Sequence, residues 1–165
     1  MKNFTCRKAI VMIALLGTIA LWCSPASAQA PASMTIVASP KELKWGPLPP
    51  SLSKGAQLAV LDGDPSKPGL YTVRLKMPSG YKVAPHSHPE NVNVSVLSGT
   101  FGVGMGDKFD SSNGKLVKAG GFVVEPKGMH HYAWAQGATV IQLHGAGPLV
   151  INYVNPADDP SAAQH

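Results

Sequence analysis

Cysteine is almost absent from this sequence: Cys6 and Cys23 are the only two among 165 residues, and both lie near the start. Disulfide stapling and thiol chemistry are therefore poor explanations for anything the rest of the chain does. Aromatic residues make up 7% and charged residues 14%, so large aromatic clusters and charge-laced helices are also scarce. No Lys/Arg cluster could track a phosphate backbone, which argues against nucleic acid as a partner. There is no Gly-x-Ser-x-Gly elbow and no phosphate-cradling glycine loop, so serine-triad and nucleotide chemistry find no support. Helix signals are nearly missing, and 17 glycines and 15 prolines favour tight turns instead.

Residues 1–28 read as a secretory signal peptide. Lys2, Arg7 and Lys8 form a basic start, residues 9–22 an apolar run short for a membrane span, and Ala26-Ser27-Ala28 a small-residue cleavage pattern. Removing that segment takes away both cysteines and three basic residues. The remainder carries 11 basic against 9 acidic groups, a net of +2 instead of +5. Export without disulfides suits a bacterial periplasm, with no membrane association after cleavage. Residues 29–55 are rich in proline and predict an extended arm with one short strand at residues 34–38, laid across the domain or a neighbouring subunit. Residues 56–155 predict one domain, and residues 156–165 a polar tail ending in a solvated His165.

Within the domain, strand signals recur at residues 57–61, 70–77, 92–97, 100–105, 116–118, 122–125, 129–135, 139–144 and 149–154. Ser112-Asn113-Gly114-Lys115 has the composition of a tight hairpin turn with positive φ. Many short strands and turns predict an all-β sandwich or small barrel.

Four of the six histidines fall in two short stretches, His86-Ser-His88 and His130-His131. Side chains alternate along an extended segment, so His86 and His88 face the same side and can reach one ion. Of the adjacent pair His130 and His131, only one can share that face. Three neutral imidazoles from two strands suit a divalent transition metal, Fe, Mn, Ni, Cu or Zn, with positions left open for water or substrate.

Gly80-x5-His86-x-His88, closed by Gly99, resembles the first motif of the cupin superfamily. Gly120-x5-Pro126-x-Gly128-x2-His131 resembles the second, and 20 residues separate Gly99 from Gly120. The similarity is to small exported single-domain cupins. It implies a jelly-roll barrel of six to eight strands, commonly a homodimer, with one metal held by His86, His88 and His131. The frame selects His131 and leaves His130 as a surface or interface residue. The sequence departs from the pattern at Val92, where a ligating glutamate is usual, and at Ala135, where an asparagine is usual. The nearest carboxylate is Glu90, readable either as a fourth ligand or as an exposed turn residue; Asn91 and Asn93 are further oxygen donors.

Gln142 and His144 share a face of the run at residues 139–144. If that face is internal they line the pocket, His144 as an acid–base or substrate-orienting group and Gln142 beside it. Tyr132 and Trp134 alternate away from the metal face, and Met105 and Met129 are explained by core packing. The resemblance permits a metal-dependent enzyme, dioxygenase-like, acting on a small organic molecule. The alternative is a non-catalytic protein that binds a metal or small ligand through a degenerate site.

Overall fold

The computed structural model describes residues 39–162; the signal segment, the strand expected at residues 34–38 and His165 lie outside them. Among the described residues ten β-strands form two five-stranded antiparallel sheets. They are β1 (Gln57–Asp62), β2 (Gly69–Met77), β3 (Lys82–Ser87), β4 (Val92–Ser98), β5 (Thr100–Met105), β6 (Lys115–Lys118), β7 (Phe122–Glu125), β8 (His131–Ala135), β9 (Thr139–Gly147) and β10 (Asn152–Tyr153). One sheet has the order β1-β2-β9-β4-β7 and the other β10-β3-β8-β5-β6. The chain changes sheet at most connections, so strands close in sequence face one another across the interior. This is an all-β jelly roll, with ten strands among the described residues where the resemblance implied six to eight. Among the described residues no helix is long and apolar enough to cross a membrane.

Period-2 alternation explains which side chains fill the space between the sheets. Tyr71, Val73, Leu75 and Met77 of β2 are buried, while Thr72, Arg74 and Lys76 between them are not. Val92, Val94 and Val96 of β4 and Ile141 of β9 join them, and Val83, Phe101, Ala133 and Ala135 meet them from the second sheet. Burying each such side chain contributes about 1.5–3 kcal/mol for the larger ones.

Tyr132 and Trp134 pack on the other face of the second sheet. Phe109 closes over them, with ring centroids 5.1 and 5.8 Å away. Room for these rings comes from the facing strand: Gly102 is paired with Trp134 and Gly104 with Tyr132, and a Cβ at either glycine would collide with the opposing ring. The loop at residues 106–114 covers this second layer. Its Asn-Gly pair does not form the tight hairpin turn expected. Asp110 caps a 3-10 turn, Ser111–Asn113, and Gly114 is extended at φ −108°. Gly114 is needed there because Trp134 lies against it. Gly99 does use the left-handed region, at φ 76°, to join β4 to β5.

The arm runs beside β1. Gly46 and Leu58 exchange backbone hydrogen bonds of 2.8 and 3.0 Å, which covers part of an otherwise open strand edge. Leu48 and Leu52 pack against the core. The hydroxyls of Tyr81 and Tyr153 donate to the carbonyls of Ser53 and Ser51, each at 2.7 Å, and so hold the backbone on either side of Leu52.

Candidate metal centre

His86 and His88 face the interior because of an irregularity in β3. Val83 pairs with Ala133 and His86 with His131, so three steps along β3 match two along β8. Strict alternation from the buried Val83 would turn His86 and His88 outward. The extra residue at Ala84-Pro85, where proline has no N–H to give to the ladder, restores them to the inner face. His131 stands directly opposite His86, and their ring centroids are 4.3 Å apart. His88 follows just beyond the strand, its carbonyl accepting from the Gly128 N–H at 2.8 Å.

Each of the three rings is oriented by a main-chain carbonyl. Nδ1 of His86 donates to Ala84 O at 2.7 Å, Nδ1 of His88 to Val150 O at 2.6 Å, and Nδ1 of His131 to Met129 O at 3.0 Å. A proton committed at Nδ1 leaves Nε2 as the lone-pair nitrogen of each neutral ring, the arrangement found around metal-bound histidines. One ligand nitrogen from each ring lies within 4.8 Å of the other two. All three residues are buried, His131 at 1% exposure, and its Nε2 has no hydrogen-bond partner among the described residues. An orphaned buried nitrogen in this setting fits a metal ligand.

A carboxylate also reaches the centre, and it is not Glu90. Glu90 is 47% exposed and pairs with Lys127 at 2.9 Å, outside the cluster. Asn91 accepts from the Lys127 N–H, and Asn93 points at the His144 carbonyl, so neither joins it. The residue that does is Glu125, at the end of β7. Its Oε2 lies 3.5 Å from His131 Nε2 and 3.6 Å from His88 Nε2, with its side chain 6% exposed. Glu125 is directly opposite Val92, the position where the cupin pattern has its glutamate. Partners across adjacent strands share a face, their Cβ atoms about 4.5–5.5 Å apart. The inward carboxylate is thus one strand over. Alternation along Phe122-Val-Val-Glu125 puts Val123 and Glu125 on one face, but nothing in that stretch alone says that the face meets the histidines.

Charge in this pocket is tightly coupled. Burial lowers the His86 pKa, His131 and His88 lower it further, and it falls to about 3. Burial alone would raise the Glu125 carboxyl, but His131 and His88 outweigh it and hold the group down at about 2. For His131, burial pulls down and Glu125 more than offsets it, leaving the ring above its ordinary 6.5. A buried carboxylate facing two Nε2 atoms needs a positive charge between them, whether a proton on an imidazole or a metal ion.

The expectations for Gln142, His144, Met105 and Met129 are corrected. Gln142 and His144 do not line the interior. Ile141 and Leu143 take the inward positions of β9, which turns Gln142 and His144 to the outer face. There Gln142 accepts from Arg74 Nε at 3.1 Å, and His144 borders a shallow outer cleft with Asp62 and Asn93. Met105 and Met129 are not core residues, being 53% and 43% exposed. His130 is outside the cluster, with Nδ1 2.6 Å from Asp107 Oδ1 at the surface.

Two hollows meet at the centre. A cavity of about 60 Å³ extends between the sheets from His86, His88 and Glu125, walled by aliphatic residues such as Leu52, Leu75, Ile141 and Leu149. On the other side a cleft of about 450 Å³ between β5–β6 and β7 reaches His131 and Glu125 past Met105, Lys115 and Val124.

A family model described as the ChrR cupin-like domain matches residues 33–150. The chain belongs to the ChrR cupin-like family. Solved structures similar to this cupin include the polyketide cyclase RemF from Streptomyces resistomycificus, 17% identical, with a TM-score of 0.62 over 80% of this chain and 94% of that one. An acetylacetone dioxygenase from Acinetobacter johnsonii is 15% identical, with a TM-score of 0.59 over 82% and 87% of the two chains. An RmlC-like cupin from Ralstonia eutropha is 21% identical, with a TM-score of 0.56 over 73% of each. At these identities the likeness is one of fold. No curated protein matches the sequence.

Proposed function

We propose that this cupin is an exported, periplasmic, metal-dependent enzyme of dioxygenase type, acting on a small uncharged organic molecule at a divalent ion held by His86, His88 and His131. The observation that carries the reading is the set of three buried imidazoles, each fixed through Nδ1 by a carbonyl so that Nε2 is free for a common ion. A bound transition metal would supply Lewis-acid polarisation of a substrate oxygen and, if redox-active, a partner for O₂.

The rest of the chemistry belongs to the chain. The wide cleft beside His131 is the way in for substrate, and the aliphatic cavity beyond His86 and His88 receives its apolar end. That cavity presents no charge apart from Glu125 and the histidines, which favours a neutral molecule. At about 10–15 Å³ per water-sized probe, it has room for only a few atoms. The similarity in fold to a protein named as an acetylacetone dioxygenase agrees with this class of substrate without choosing a member of it.

The test is O₂ uptake by iron(II)-loaded protein with a panel of small diketones and thiols, beside His131→Ala. Uptake that needs both a panel compound and His131 is the expected result. Stoichiometric metal with no turnover of any panel compound would move the chain to the alternative, a non-catalytic metal- or ligand-binding cupin.

A further inference from the structure

We propose that the Glu125 carboxylate is the fourth protein ligand of the ion, taking over from the neighbouring strand the part that Val92 cannot play. This rests on the three-histidine centre and adds a residue to it.

Three observations carry the assignment. First, the spacing suits a shared ion. Two donors each about 2.0–2.2 Å from one metal lie about 3.0–3.5 Å apart for angles between 90° and tetrahedral, and Glu125 Oε2 is 3.5 and 3.6 Å from two of the Nε2 atoms. Second, the groups require a positive charge between them, which a divalent ion supplies to all of them at once. With Nδ1 of His88 and His131 donating to Val150 and Met129, the neutral rings turn lone pairs towards a carboxylate that is 6% exposed. Lone pairs facing a buried anion repel, and a divalent ion between them satisfies all of them together. Third, the register explains the placement. Val92 and Glu125 are paired residues on one inner face, so moving the carboxylate across one ladder keeps it at the same end of the interior.

The consequence is electrostatic. Three neutral imidazoles and one carboxylate leave a divalent centre at net +1, as in cupins that carry the glutamate in its usual place. The absence of a glutamate at Val92 therefore does not make this a three-ligand site.

The experiment uses cobalt(II) as the probe. Metal-stripped protein is titrated with Co²⁺ against a competing chelator, and the visible absorption of the bound ion reports its ligand set. Proteins compared are wild type, Glu125→Gln, Glu125→Val, the exchange variant Val92→Glu/Glu125→Val, Glu90→Gln and His131→Ala, each checked for folding by circular dichroism. Loss of a direct ligand in Glu125→Gln should weaken Co²⁺ binding by about 100-fold or more, beyond the roughly 10–100-fold typical of outer partners, and change the absorption bands. The exchange variant should recover most of the affinity, and Glu90→Gln should match wild type. Binding by Glu125→Gln within a few-fold of wild type with unchanged bands would overturn the assignment. So would a loss that a folded exchange variant does not recover. If wild type fails to bind Co²⁺, or His131→Ala binds it equally well, the three-histidine reading itself fails, whatever Glu125 does.

Discussion

Acid should weaken the metal-free protein through its buried histidines. His86 falls to about 3 in the folded chain, because burial and then the neighbouring His131 and His88 disfavour its charged form, against an ordinary value of 6.5. Between those values the unfolded chain binds a proton that the folded chain refuses, so stability rises with pH across the window and falls on acidification. One such group changes stability by about 1.4 kcal/mol per pH unit. The loss over the window is therefore several kcal/mol, a large part of the roughly 5–15 kcal/mol that holds a domain folded. Glu125, held at about 2, adds a loss of the same sign as pH drops below its ordinary 4.5. His131 acts the other way. Its raised pKa contributes stability that is full below 6.5 and disappears as pH climbs through the folded value. The metal-free protein should thus be most stable slightly above 6.5 or near it, declining on both sides. Urea unfolding of chelator-treated protein at a series of pH values measures this, with His86→Phe removing about one proton's worth of slope on the acid side. A flat profile below 6.5, or equal slopes in wild type and His86→Phe, would refute the reasoning.

Two further predictions concern the scaffold. Gly104→Ala sets a methyl group into the Tyr132 ring and Gly102→Ala one into Trp134; each should destabilise by about 1–3 kcal/mol, read from urea midpoints at constant slope. Tyr81→Phe and Tyr153→Phe each remove one hydrogen bond to the arm, at Ser53 and Ser51. Each should cost about 1 kcal/mol, and the double variant should expose the arm to limited proteolysis before the sheets unfold.

Much of the fold could be read from local pattern, and the reasons are specific. Leu70 to Met77 alternates cleanly because one face of β2 is core and the other is not. The His86, His88 and His131 cluster was legible because motif spacing carries it. Glu125 was not, because its importance depends on the pairing of β4 with β7, a contact between residues far apart in sequence. The parity of Gln142 and His144 was legible: Ile141 and Leu143 alternate with them and are apolar, which marks the other face as the inner one, so the expectation gave the polar pair a weight that the pattern did not support. The bulge at Ala84-Pro85 is another tertiary matter: proline marks an interruption of the ladder, but only the pairing with β8 shows that it turns the two histidines inward. At Asn113-Gly114 the tight-turn composition yielded to packing, since Gly114 is occupied in making room for Trp134.

The central claim is that His86, His88 and His131 hold one divalent transition metal. Elemental analysis of protein purified without chelators tests it most directly, with His131→Ala as the disrupted site and His130→Ala, whose ring faces Asp107 at the surface, as the control. The account predicts close to one metal ion per chain in wild type and in His130→Ala, and almost none in His131→Ala. Metal absent from wild type even after reconstitution, or retained by His131→Ala, would contradict it.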